Sequence, residues 1–297
     1  MLWQTGKKDM LDLALGLMLF ISALLSLHSK DTMKSGVFFI IFGFLSGLIW
    51  VRLEAPDVAL VEIILGSAIT GLLIFKLVKG SKQKDLKAFT FTRLWAGFIS
   101  FLILIFMLFH LTTIERQDRI ASLVFENLHK SGVDSAVNAV LLNFRGYDTL
   151  LEVGVITLAI FGLLSLGLKR EAYYWDNPLL KGFSRLLLPF IVFFSLYITY
   201  LGTFSVGGDF QGGALLAGGL VLFALAGQAL PLKASIIYIF MMAGLGVFSL
   251  IGLLYALLGY GFLTYPLELS TISIMIIELS IWISTAFLLY TAYSGKL

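Results

Sequence analysis

The chain has 297 residues, 59% of them hydrophobic and only 13% charged, with a mean hydropathy of +0.97. Soluble domains carry roughly a quarter charged residues, so this composition excludes a soluble globular protein and points to an integral membrane protein. The formal charge of +3 does not mark a nucleic-acid binder, because the 21 basic residues sort by membrane side.

A bilayer crossing takes about 20 apolar residues. Such windows occur nine times, at approximately 10–28, 36–53, 58–78, 94–114, 150–168, 186–204, 213–230, 236–258 and 270–292. The expected fold is therefore an all-α integral membrane protein of about nine transmembrane helices. The first run, Leu11 to Leu27, lacks a small-residue cleavage site and reads as an anchor rather than a signal peptide. The third opens with Ala55-Pro56-Asp57, where proline suits a first helical turn and the acid suits the positive end of the helix dipole.

Lys and Arg in the connections orient the chain. Seven lie on the N-terminal side (Lys7, Lys8, Arg52, Arg116, Arg119, Lys130, Arg145), and the other fourteen on the opposite side. The N-terminus is then outside and the C-terminus cytoplasmic. Two basic connections, 79–93 and 169–185, divide the chain into modules 1–84, 85–177 and 178–297, with three, two and four spans. No internal repeat is evident. The outer segment 115–149 reads as a surface helix followed by an amphipathic stretch from Val133 to Phe144.

Charges within spans are costly and mark function. The first such place is Arg52-Leu-Glu-Ala-Pro-Asp57-Val-Ala-Leu-Val-Glu62. Gly66 and Thr70 follow Glu62 at i+4 and i+8, so Glu62 heads a small, polar stripe. A wet path and an interfacial acid paired with Arg52 are both open for Glu62; for Asp57 the pairing is favoured. The second is Asn143-Phe-Arg145-Gly-Tyr-Asp148-Thr-Leu-Leu-Glu152. Asp148 and Glu152 are like charges on one face, so one shares a proton, binds a cation or takes Arg145 as partner. Capping of free amides by Asp148 and Thr149 is the structural alternative, and it leaves Glu152 unexplained.

The third place is Gly207-Gly208-Asp209-Phe210-Gln211-Gly212-Gly213, with Asp209 just outside a span starting near Gly213. Absence of a following Lys-Ser/Thr argues against a phosphate loop. A tight turn with packing glycines Gly212, Gly213, Gly218 and Gly219 is the favoured reading. The fourth is Glu278, about 12 Å into the last span at 1.5 Å per residue, with Thr271 and Thr285 on its stripe. A proton-handling carboxyl is favoured over a simple interhelical hydrogen bond. Gln228 reads as helix glue.

No cysteine is present, which excludes thiolate-held iron–sulfur clusters and disulfides. His28, His110 and His129 are scattered near predicted helix ends and read as loop or interfacial residues rather than metal ligands. Trp3, Trp50, Trp95 and Trp175 fall near span ends, the usual interfacial belt.

Three of these stretches together resemble one family. Ala55-Pro56-Asp57-Val58-Ala59-Leu60-Val61-Glu62 is similar to the "APDVALTE" signature of the D-type subunit of membrane-bound hydrogenases and of the large Mrp antiporter subunit. Phe144-Arg145-Gly146-Tyr147-Asp148-Thr149-Leu150-Leu151-Glu152 is similar to "FRGFDTLGE" of the E-type subunit. Gly207 to Gly213, with Gly202 upstream, resembles the "GH…PGGGFQGG" hallmark of the MrpB-type subunit, with Thr203, Val206 and Asp209 replacing histidine, proline and a third glycine.

The resemblance implies a natural fusion of D-like, E-like and MrpB-like subunits in a prokaryotic cell membrane. It implies a non-catalytic subunit of a multisubunit Na⁺/H⁺ antiport module, freestanding or joined to a ferredoxin-driven redox arm such as a membrane-bound hydrogenase. The implied partners are other membrane subunits of that complex. Na⁺ or H⁺ would be the transported ions, and redox cofactors and metals would reside on other subunits, none on this chain. Glu62, Glu152 and Glu278 are the expected exchanging carboxyls. Arg52, Asp57, Arg145, Asp148, Asp209 and Gln211 would tune or support them, with Gly207, Gly208, Gly212 and Gly213 packing. The alternative is a scaffold joining antiporter-like subunits to a redox arm without moving ions.

Overall fold

In the computed structural model, the described residues are 2–71, 74, 90–111, 119–166 and 174–294, and all their regular structure is helical. Two compact units result, Ser81–Asn127 and the remainder of the chain.

The larger unit opens with α1 (Leu2–His28) packed on α2 (Thr32–Arg52). Asp31 starts α2 by accepting from the Met33 amide at 2.8 Å, which satisfies one free N-terminal donor. Arg52, at the end of α2, reaches back to Asp12 at 2.6 Å. The turn after it carries Glu54 at φ 60°, a left-handed residue. Then α3 (Pro56–Val61) begins with proline in its first turn and continues as a π-helix over Glu62–Ile69. The Thr70 amide shows the wider register by donating to the Leu65 carbonyl, five residues back, and the Thr70 hydroxyl donates to the same carbonyl at 2.6 Å. Gly43 and Gly47 of α2 let this segment approach; a Cβ on Gly43 would lie 3.0 Å from the Gly66 carbonyl oxygen.

The smaller unit holds α4 (Thr90–Leu111) and α5 (Arg119–Asn127). From Leu94 to His110, every residue of α4 is exposed within the chain, as suits a helix whose surroundings are lipid or another polypeptide.

Chain order in the larger unit resumes with α6 (Ala136–Asn138), which widens into a π-helix over Ala139–Phe144 and leads into α7 (Gly146–Ser165). Next come α8 (Pro178–Phe204), α9 (Asp209–Leu225), α10 (Ala234–Leu257) and α11 (Leu267–Ser294). Asn177 caps α8 from the residue before its N-terminal proline, accepting from the Leu179 amide at 2.9 Å. Just before it, Asp176 bonds Lys181 at 2.7 Å, and this hydrogen bond with the attraction of the ammonium holds the Asp176 carboxyl below its usual range.

Helix α11 is the centre of this bundle, packing on α7, α8, α9 and α10. Ile274, Ile277 and Ile281 on α11 are fully buried with Phe248 of α10 and Val153 of α7. In a membrane such packing rests on close van der Waals fit more than on exclusion of water. Glycine makes the fit possible on α9: an added Cβ would press Gly212 onto Thr199 and Ser195 of α8, and Gly213 onto Thr285 and Trp282 of α11. Gln228 joins the end of α9 to the start of α8 through Ser184 at 2.7 Å and through Arg185.

Six described helices are long and apolar enough to cross a membrane: Met10–His28, Thr32–Arg52, Gly146–Ser165, Pro178–Phe204, Ala234–Leu257 and Leu267–Ser294. Leu94–His110 and Asp209–Leu225 are apolar but shorter. The third predicted span, 58–78, runs into residues outside the described ones, as do most of the linker 79–93 and part of 169–185. The chain is thus a multi-pass helical membrane protein.

The stretch Val133 to Phe144 differs from the expected outer amphipathic element. Val133, Ser135, Asn138, Ala139 and Leu142 are all buried. The amides of Asp134 and Ser135 each donate to the Thr203 carbonyl at 3.2 Å. Ser270 donates to the Ser131 carbonyl at 2.5 Å, and Thr271 bonds the Gly132 carbonyl. These bonds fasten the segment between the end of α8 and the start of α11. Gly132, at φ 76°, turns so close to α11 that an added Cβ would lie 2.7 Å from Ser270 Cβ. Ser135 and Asn138 therefore face protein, while Asp134 and the apolar Val137, Leu141 and Phe144 are exposed, so the apolar/polar alternation does not mark a buried and a water-facing side.

Candidate functional site

Where α8 ends, Gly207 and Gly208 both take φ 151°, a backbone region that side chains disfavour. The chain reverses there and α9 starts at Asp209, four residues before the predicted span. Asp209 thus belongs to the helix itself and is buried, at 7% exposure, rather than standing outside a span. The Gly207 amide donates to Asp57 Oδ1 of α3 at 3.0 Å, so Asp57 anchors this turn. A Cβ on Gly202 would meet Gly208 Cα at 2.6 Å and Glu278 Oε1 at 2.7 Å, so the turn lies directly against the Glu278 carboxyl.

Glu278 is 1% exposed and accepts two side-chain hydrogen bonds. Asn138 Nδ2 donates to Oε1 at 2.6 Å, and Thr203 Oγ1 donates to Oε2 at 2.5 Å. An ionised carboxylate offers about four lone-pair sites, so each oxygen keeps one for a proton while both donors stay in place. Asn138 is positioned by its helix start: Ser135 caps α6 by accepting from the Asn138 amide at 3.3 Å.

Asn138 also lines a cavity of about 400 Å³ between α3, α6, α7, α9 and α11. Glu152, Gly207, Gly208, Asp209, Gln211 and Thr285 share its wall with apolar residues such as Val61, Leu65 and Ile156. Asp209 Oδ1 accepts from the Phe210 amide at 2.7 Å, while its buried Oδ2 has no hydrogen-bond partner. Asp209 feels the charges of both Glu278 and Glu152. Two carboxyls, buried Asp209 and exposed Glu152, thus line one wet-sized space, and the buried Glu278 lies behind Asn138.

The other expected site residues lie elsewhere. Glu62, the first residue of the π-helix, is partly buried and folds over its own Gly66, where a Cβ would come within 2.8 Å of Oε1. Arg52 pairs with Asp12 rather than with Glu62 or Asp57. Asp148 does not cap α7: it pairs with Arg145 on an exposed surface. Thr149 likewise donates, to the Leu141 carbonyl at 2.6 Å, instead of receiving an amide. The reason for both is that the π-helical turn before α7 brings a carbonyl and Arg145 to that helix start, where a cap would need free amides.

Two residues that hold Glu278 escape the sequence reading. Asn138 carries no expectation there, and Thr203 enters it only as a departure from a pattern. A lone asparagine in an apolar stretch beside a serine cap is the available signal for the first.

Residues 17–83 match the family MbhD, described as the D subunit of MBH, and residues 179–293 match MnhB, a domain related to the MnhB subunit of the Na⁺/H⁺ antiporter. The chain thus carries an MbhD region followed by an MnhB-related region. It is 26% identical over 166 residues to the Na⁺/H⁺ antiporter A subunit of Bacillus subtilis (strain 168), covering 54% of this chain and 21% of that protein. The corresponding A1 subunit of Staphylococcus aureus (strain JH9) is also 26% identical, over 52% of this chain and 20% of its own length. The chain therefore spans about a fifth of the length of these relatives. Its fold is similar to a chain of the Mrp complex from Dietzia sp. DQ12-45-1b, with a TM-score of 0.79 at 19% identity, over 95% of this chain and 34% of that one. It is also similar to a chain of the membrane-bound sulfane sulfur reductase, an archaeal respiratory membrane complex (TM-score 0.50, 24% identity, 66% and 98% covered).

Proposed function

We propose that this chain is a non-catalytic membrane subunit of a multisubunit Mrp-type cation/proton antiport module, in which carboxylates of the bundle pass protons or sodium ions. The observation that carries the reading is Glu278, buried at 1% exposure, held by Asn138 and Thr203, and separated by Asn138 from a cavity bearing Asp209 and Glu152. Carboxyls inside a membrane bundle are costly to bury, and those that are kept there mark ion or proton paths. Partners would be the other membrane subunits of such a complex, with or without a redox arm.

Within this reading Glu152 is the entry carboxyl and Glu278 the inner one. Glu62, outside the cavity on the neighbouring π-helix, would serve a contact with another subunit; π-helical turns recur at functional sites. Asp57 supports the path indirectly, through the glycine turn it anchors.

The test replaces Glu62, Glu152 and Glu278 singly by glutamine in the assembled complex and measures sodium-dependent proton flux in vesicles. Loss of flux per assembled complex for Glu278→Gln and Glu152→Gln is expected. A pure scaffold gives the opposite pattern: less assembled complex, with normal flux in what assembles.

A further inference from the structure

Among the described residues, Asp209 is the buried carboxyl of this site whose second oxygen is left unpaired. Its Oδ1 is occupied by the Phe210 amide at 2.7 Å, its Oδ2 is buried without a partner, and the residue lines the cavity of about 400 Å³. An unsatisfied buried polar atom is costly, and the cost is recovered only if something in the cavity meets it. The cavity has room for several waters at about 30 Å³ each. Asp209, Asn138, Gln211, Glu152 and Thr285 on its wall supply the polar partners such waters need.

We infer that Asp209 is a proton-binding station between water in this cavity and Glu278. A hydronium in the cavity gives up one proton: its O–H bond breaks, an O–H bond forms on Oδ2, and a neutral water and a neutral carboxyl remain. The reverse step returns the proton to water. The carboxyls nearest Asp209 couple to it. Glu278 on α11 and Glu152 on α7 both act on it electrostatically, and Asp57 of α3 is held one step further off by the Gly207 amide. Interacting carboxyls titrate as a set rather than singly. A proton on Asp209 therefore relieves repulsion at Glu278 and Glu152, so that uptake at the cavity and occupancy of Glu278 are linked. The Gly208 turn keeps this arrangement compact, because a Cβ there would strike Gln211 Oε1 at 2.8 Å. This role rests on the reading of Glu278 as an exchanging carboxyl.

The experiment compares Asp209→Asn, Asp209→Gly and Asp209→Glu with Glu278→Gln in the assembled complex, scoring proton flux per complex and the carboxyl C=O band by infrared difference spectroscopy. Expected is a fall of about tenfold or more in flux for Asp209→Asn and Asp209→Gly, the scale of a lost proton-transfer group. Asp209→Glu should retain most of the flux, and one pH-dependent carboxyl band should vanish in Asp209→Asn. Wild-type flux in both Asp209→Asn and Asp209→Gly, with Glu278→Gln inactive, overturns the station while leaving the inner carboxyl in place. Wild-type flux in Glu278→Gln overturns the reading on which the station rests. A band that responds to sodium at constant pH, and not to pH, makes Asp209 a sodium ligand and overturns the proton assignment.

Discussion

Asn138 donates its side-chain amide to Glu278 Oε1 at 2.6 Å, joining residues 140 positions apart in the chain. The bond ties a short helix of the middle region to the central helix of the C-terminal bundle. It also places one uncharged side chain between the Glu278 carboxyl and the cavity. Asn138→Ala leaves a buried carboxylate oxygen short of a donor, at a cost of about 1.5–3 kcal/mol. The purified protein in detergent should unfold at a clearly lower temperature, and an unchanged midpoint would count against the bond.

The glycine contacts make a graded prediction. Gly202→Ala forces a Cβ against the Gly208 backbone and the Glu278 carboxyl, and overpacking of that kind costs about 1–3 kcal/mol. Gly208→Ala adds backbone strain of similar size, because its φ is 151°. At Gly16 a Cβ meets nothing within 4 Å, so Gly16→Ala should change stability by less than about 0.5 kcal/mol. Thermal unfolding of the three variants should rank them in that way; equal midpoints would contradict the close approach of the turn to Glu278.

How much of the molecule can be read from its chain depends on the range of the signal. Glu278 stands out because a single carboxyl interrupts an apolar run, and helix periodicity places Thr285 on its face. Its hydrogen-bond partners leave no such trace. Asn138 sits in a stretch whose apolar and polar alternation is the same whether its polar side meets water or buried protein. Asp209 reads as a loop residue because glycines flank it on both sides; the two positive-φ glycines complete the turn earlier and free Asp209 to start the helix. The polar stripe below Glu62 is legible, but the π-helical register bends the carboxyl onto Gly66 instead of into the bundle.

Arg145 and Asp148 form an ion pair whose side chains are 70% and 56% exposed. Exposed pairs contribute about 0.2–1 kcal/mol. A double-mutant cycle of Arg145→Ala and Asp148→Ala should give a coupling energy in that range in moderate salt and less in high salt. A coupling of several kcal/mol would mean that a neighbouring polypeptide covers the pair.

Absence of cysteine makes the orientation directly measurable. With the N-terminus outside, Lys130→Cys should react with a membrane-impermeant maleimide in intact cells. Lys233→Cys, just before α10, should react only after permeabilisation. The reverse pattern would invert the topology and, with it, the side from which Glu152 is reached.

That the carboxyl of Glu278 itself carries the exchanged ion is tested most directly by the sodium-dependent proton flux of the reconstituted complex bearing Glu278→Gln. Glutamine keeps the size and can still accept from Thr203 or Asn138, so the substitution removes the ionisable group and little else. The expected result is normal assembly with flux reduced to background. Wild-type flux per assembled complex would contradict the assignment.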